Sequence, residues 1–142
     1  TFYHDMNGLL AIRQHQLDNV TFVVINNDGG GIFHQLPVAR HEPPFTDLFL
    51  TPHGLTFAPV AEMYGLSYRV ATDTDGLTQA LSDCLQHSTG PNLIEVRTNS
   101  YKDYRQMKDI SAAVQTAIKQ EQQVTIYKTS TRNLNKGELA NE

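Results

Sequence analysis

The chain has 142 residues, enough for one domain with a real core and too few for two comfortable ones. Hydrophobic residues make up 39% and charged residues 18%, an ordinary globular balance, and no apolar run approaches the ~18–20 residues that span a membrane. The net charge of −4 argues against nucleic acid as a bulk partner, because a phosphate backbone selects basic surfaces, while a local phosphate site stays open. The one cysteine, Cys84, excludes an internal disulfide and a cysteine zinc cluster. With no signal peptide at its start, the protein is expected in the cytoplasm. The chain does not open on methionine, and Thr1 already reads as the inside of an element, so we expect a fragment of a longer polypeptide.

In chain order, Phe2, Met6, Leu9, Leu10, Arg13 and Leu17 recur at spacings of three and four, which predicts an amphipathic helix over 2–17. Asp5 suits its first turn through the helix dipole, and His4 is either a ligand or merely exposed. After a turn at Asp18-Asn19, the run VTFVVI predicts a strand buried on both faces, as in a parallel sheet. The loop NNDGGG then sits at that strand's C-terminal end, the edge where open α/β sheets bind ligands. Residues 37–44 read as irregular and 45–50 as a short helix or turn. Pro59 suits the first turn of a helix running to Tyr64, and Gly65 its left-handed stop. Residues 67–71 predict a second strand. Asp73 or Thr74 caps a helix with the stripe Leu77, Ala80, Leu81, Cys84 and Leu85, which makes Cys84 a packed thiol rather than a nucleophile. Gly90-Pro91-Asn92 is a turn before a third strand, LIEVRT. Met107, Ile110, Ala113, Val114, Ala117 and Ile118 mark a last amphipathic helix, and VTIYK opens a tail with a brief β-like stretch. Strands alternating with helices imply βαβ units and a parallel sheet.

The residue types of Asn27-Asp28-Gly29-Gly30-Gly31 carry the chemistry. Glycines allow positive φ and close approach of backbone to a ligand, and their N–H groups can form an anion-binding concavity. Asn27 offers a neutral carbonyl oxygen of the kind hard Mg²⁺ accepts beside backbone carbonyls, water and substrate phosphates. A glycine-rich turn after a strand is also common in proteins with no such site. The pattern is neither G-x-G-x-x-G nor a Walker loop, so the Rossmann and P-loop readings fail.

The runs FYHDMNGLLAIRQH and VTFVVINNDGGGIFHQLP together resemble the C-terminal cofactor domain of the thiamine-diphosphate enzymes. More narrowly, they resemble the 2-succinyl-5-enolpyruvyl-6-hydroxy-3-cyclohexene-1-carboxylate synthases of menaquinone biosynthesis, the MenD family. TPHGLTFAPVAEMYGLSYR is similar to the same family, so the likeness covers most of 1–98. It implies an α/β fold in three layers, a parallel sheet with helices on both faces, with its first strands lying upstream of this chain. The implied organisation is a cofactor domain over 1–122, incomplete at its N-terminus, and a tail of unknown role over 123–142.

The family motif opens with Gly-Asp and closes with Asn-Asn. Asn26-Asn27 supply the close, and the opening falls upstream of Thr1. The resemblance implies that the Asn27 side chain and the Gly29 carbonyl ligate Mg²⁺, with Mn²⁺ as a substitute, and that Gly30 and Gly31 keep the loop close to the diphosphate. It implies that Ile32 contacts the cofactor and that Phe33 and Leu36 line the substrate pocket. Their other reading is ordinary core at the start of the next element. Ser100 stands where related sequences often carry arginine. The implied reaction decarboxylates 2-oxoglutarate and adds the succinyl unit to isochorismate, with thiamine diphosphate as electron sink, in a homo-oligomer, dimer or tetramer. No catalytic acid or base is assigned: the glutamate that activates the cofactor belongs, in this superfamily, to a partner's N-terminal domain, and neither Glu62 nor Glu95 matches that context. The competing readings are another thiamine-diphosphate decarboxylase or carboligase, and a non-catalytic α/β assembly module.

Overall fold

A computed structural model describes residues 2–87 and 89–138, with side chains through 122. Three strands, β1 (Thr21–Asn26), β2 (Ser67–Ala71) and β3 (Asn92–Arg97), form one parallel sheet in the order β1-β3-β2. The registers align Val24 and Val70 with Glu95 of the central strand. Among the described residues, four α-helices accompany them: α1 (Leu9–Gln14), α2 (Ala58–Tyr64), α3 (Thr74–His87) and α4 (Ser100–Glu138).

Side chains alternate across a strand, so Leu93 and Ile94 belong to opposite faces. Leu93 packs with Leu9, Phe57, Val60, Ala61, Tyr64 and Leu66, which puts α1 and α2 on one face. Ile94 and Val96 pack with Ala71, Ala80 and Cys84, which puts α3 on the other. The expected three-layer α/β arrangement is therefore present. Its central strand is β3, buried from Asn92 through Val96. The strand expected to be buried on both faces, β1, is instead an edge strand. Phe22 and Val24 pack inward, while Val23 and Ile25 remain 45% and 58% exposed.

The local signals hold at the helix ends. Gly65 stops α2 at φ 73, and the Asp73 carboxylate accepts the Gly76 N–H at 2.7 Å. The helix expected over 2–17 is broken into 3-10 turns at Phe2–His4 and Met6–Gly8 followed by α1. Asp5, at φ −132, interrupts the spiral, and Gly8 is a poor helix interior. The altered spiral brings Phe2, Met6, Leu9 and Ile12 to the core and leaves Leu10 and Leu17 exposed. On α3 the stripe narrows to Leu77, Ala80 and Cys84, and Leu85 is 85% exposed. A π-helical turn covers Thr46–Leu50, where a short helix or turn was expected.

By contacts the chain divides into a compact unit over 1–104 and the helical remainder from Arg105. The α4 backbone runs unbroken through 124–128, so VTIYK is helical rather than β-like. The apolar residues of its predicted stripe, Met107, Ile110, Val114 and Ile118, are exposed. Beyond that backbone, the tail expected from 123 lies outside the described residues. Among the described residues, no helix is long and apolar enough to cross a membrane.

Candidate functional site

Strand β1 ends at Asn26, and the chain turns sharply through Asp28 at φ 61 and Gly29 at φ 146. Asp28 tolerates the left-handed region because its side chain is short and polar. Gly29 has no substitute: a Cβ there would lie 2.1 Å from the Leu50 carbonyl oxygen. The same crowding holds Gly30 against the Phe49 carbonyl, at 2.4 Å from a hypothetical Cβ, and Gly31 against the Asn27 amide, at 2.5 Å. The Gly30 N–H donates to the Leu50 carbonyl at 2.7 Å, so this N–H is committed to protein and is not free to meet an anion. The glycines thus seat the loop on the backbone of 49–51.

A second loop, 51–56, is tied to the first. The Asp28 carboxylate accepts N–H donors from His53 at 3.2 Å and Gly54 at 2.7 Å. His53 Nδ1 accepts the Leu55 N–H at 3.0 Å, and its ring stands edge-on to Tyr3 at 6.1 Å. Tyr3 in turn donates to the Thr56 carbonyl at 2.5 Å and stacks on Phe57.

Beneath both loops lies Glu95, a fully buried carboxylate on β3. Its Oε1 accepts from Asn26 Nδ2 and Arg97 Nε, each at 2.9 Å. Its Oε2 accepts from the Phe57 N–H at 2.8 Å and the Tyr68 hydroxyl at 2.5 Å. Burial alone would raise its pKa, but these four donors outweigh burial and bring it from 4.5 down to about 2. Burial raises the Tyr68 hydroxyl, and the Glu95 carboxylate raises it further.

A cleft of about 820 Å³ runs along Val23–Asn26 of β1 and the loop at that strand's C-terminal end. Asn27, Gly29, Gly30, Gly31, Ile32 and Phe33 all line it, beside Tyr3, His4, Asn26, Phe49, Thr51 and His53. Ile32 is 70% exposed, a large apolar side chain presented to the opening. Phe33 meets Phe49 edge-to-face at 5.7 Å. Leu36 is not among the lining residues and is 47% exposed. Ser100 hydrogen-bonds the ring of His34 at 3.2 Å, and that ring stacks on Tyr104 at 5.7 Å.

A metal–diphosphate group fits this geometry in part. Among the described residues, the Asn27 amide and the Gly29 carbonyl have no hydrogen-bond partner, and both sit on the cleft. The neighbouring Asn26 amide is fully engaged: Nδ2 donates to Glu95 and to the Leu55 carbonyl at 3.0 Å, and Oδ1 accepts the Asp28 N–H at 3.1 Å. Two neutral oxygens suit Mg²⁺ as a partial ligand set completed by phosphate oxygens. Among the described residues no cluster of three or more His, Cys, Asp or Glu side chains could hold a metal by itself. The doublet Asn26-Asn27 thus splits into a structural and an available asparagine, a division its spelling does not reveal.

Sequence reasoning assigned no role to Asp28, His53 or Glu95. The signal for the first two was the TPHG break after 50, a second turn long enough to fold back on NNDGGG. For Glu95 the signal was an acid inside the apolar strand LIEVRT, which must be paired to be buried.

The family described as thiamine pyrophosphate enzyme, C-terminal TPP binding domain, matches residues 1–96. A 2-succinyl-5-enolpyruvyl-6-hydroxy-3-cyclohexene-1-carboxylate synthase of Roseiflexus sp. (strain RS-1) is 50% identical over 103 residues, 72% of this chain and 17% of the relative. The synthase of the same name from Halorubrum lacusprofundi is 44% identical over 126 residues, 82% of this chain and 20% of the relative. That of Geobacillus thermodenitrificans is 50% identical over 99 residues, 70% of this chain and 17% of the relative. The chain therefore spans about a fifth or less of the length of these curated relatives. With a matched region that includes β1, β2 and all of β3 but its last residue, together with the Asn-Asn turn and its glycines, the chain belongs to the thiamine pyrophosphate enzymes, in their C-terminal TPP-binding domain.

Proposed function

We propose that this chain is the metal–diphosphate half of a carboligase of menaquinone biosynthesis, which decarboxylates 2-oxoglutarate and adds the succinyl unit to isochorismate. The observation that carries the reading is the pair of uncommitted oxygens, Asn27 Oδ1 and the Gly29 carbonyl, on a cleft at the C-terminal end of β1. Its support from relatives is that they are 2-succinyl-5-enolpyruvyl-6-hydroxy-3-cyclohexene-1-carboxylate synthases. Bound thiamine diphosphate supplies the electron sink that makes decarboxylation feasible.

The protein's own part is binding and exclusion. Asn27 and Gly29 would hold Mg²⁺, or Mn²⁺ in its place, and through it the diphosphate. Gly30 and Gly31 bring the loop close enough for that contact. Ile32 would meet the cofactor and Phe33 would give the substrate side an apolar wall that keeps water away, while Leu36, off the cleft lining, would reach the substrate only in the completed site. No catalytic acid or base is drawn from this chain; Glu95 is buried under the sheet end and has no exposed surface with which to meet a substrate. The working enzyme is a cytoplasmic homo-oligomer, dimer or tetramer, in which a second subunit completes the site.

The test is an assay of the full-length protein with Mg²⁺ and thiamine diphosphate. Carbon dioxide release from 2-oxoglutarate coupled to consumption of isochorismate is expected. Turnover of pyruvate with no use of isochorismate would assign the chain to another thiamine-diphosphate enzyme.

A further inference from the structure

We infer that Glu95 is a positioning residue for the metal–diphosphate loop, acting through the side chain of Asn26. The inference rests on the proposed role of Asn27 and Gly29 and extends it one layer inward. An amide side chain has two ends that differ in chemistry, and something must decide which way it points. Around Asn26 that decision is forced. The Glu95 carboxylate and the Leu55 carbonyl only accept, at 2.9 and 3.0 Å, so both must face Nδ2. Oδ1 is then left to accept the Asp28 N–H at 3.1 Å. That last bond closes the turn in which Asn27 is the enclosed residue, between two backbone positions both held through Asn26.

The carboxylate is itself fixed. It is fully buried on the central strand, and its other oxygen is held by the Phe57 N–H and the Tyr68 hydroxyl. A rigid strand therefore dictates the orientation of Asn26, and Asn26 dictates the start of the loop. Partners that orient a metal's ligands act in this way, without touching the metal. Glutamine at 95 would break the logic, because it offers an NH₂ group either to Asn26 and Arg97 or to the Phe57 N–H.

The experiment compares Glu95→Gln, Asn26→Ala and Tyr68→Phe in the full-length protein. Tyr68→Phe removes one donor from the other oxygen, which the Phe57 N–H still holds, and leaves the Asn26 arm intact, so it controls for a merely structural role. Calorimetric titration with Mg²⁺ and thiamine diphosphate is expected to show affinity about tenfold or more weaker for Glu95→Gln and Asn26→Ala, and within about twofold of wild type for Tyr68→Phe. The double variant Glu95→Gln/Asn26→Ala is expected to lose no more than the worse single one, since both break one chain of contacts. Amide exchange of the cofactor-free protein should quicken at 28–31 in the first two variants only. Equal exchange at 28–31 and wild-type affinity in Glu95→Gln would overturn the inference. Should that variant fail to fold, unchanged affinity and exchange in Asn26→Ala do the same. Wild-type protein that binds no Mg²⁺–thiamine diphosphate would sink the proposed function, while the exchange comparison still judges the role of Glu95.

Discussion

Gly29 joins a φ of 146 to a carbonyl oxygen 2.1 Å from where a side chain would begin, so two independent constraints exclude every other residue there. Gly29→Ala should therefore cost at least about 1–3 kcal/mol from backbone strain, and more as residues 49–51 are pushed away. Thermal or urea unfolding checks this; an unchanged midpoint would mean the turn is not as drawn. Glu95 gives a pH prediction of definite sign. Its folded pKa of about 2 lies below the ordinary 4.5, so its contribution is complete above about pH 4.5 and is lost as pH falls toward 2. The window corresponds to about 3 kcal/mol, which Glu95→Gln should remove from the acid limb of a stability–pH curve. Cys84 is a packed thiol that also accepts from Arg69 Nη1 at 3.5 Å. Cys84→Ala should cost about 1 kcal/mol without changing cofactor affinity, and a thiol reagent should label the folded wild type slowly.

Among the elements, those with local punctuation were legible. Pro59 and Gly65 bracket α2, Asp73 caps α3, and the β-branched runs became the three strands. What the sequence did not reveal depends on neighbours. Whether VTFVVI is a central or an edge strand is decided by the strand order β1-β3-β2, which no residue in the run encodes. The helix expected over 2–17 has a sound apolar period but carries Asp5 and Asn7-Gly8 inside it, and these local preferences prevailed over the period. VTIYK shows the reverse: five residues with strand preference lie within a long helical backbone. At the site, the loop's place at the end of β1 was legible. The use of Asn26, Asp28 and Glu95 was not, because hydrogen bonds spanning 25 to 69 residues leave no mark in local spacing.

For the molecule as a whole, the edge strand β1 exposes Val23 and Ile25, and both line the cleft with Asn27 and Gly29, whose proposed role as metal ligands would supply only two neutral oxygens. Both features support a site completed by further polypeptide. The isolated chain should bind Mg²⁺ and thiamine diphosphate only weakly and turn over nothing; micromolar binding to it alone would contradict this. In the full-length protein, cofactor should favour association of subunits, which light scattering with and without Mg²⁺–thiamine diphosphate can follow. The most direct measurement is the calorimetric titration of Mg²⁺–thiamine diphosphate into full-length wild type and Asn27→Ala. The account predicts tight binding by wild type and a loss of about tenfold or more in the variant, since one metal contact and the loop it anchors are removed. Equal affinity in the two proteins would take Asn27 out of the metal's coordination shell and contradict the account.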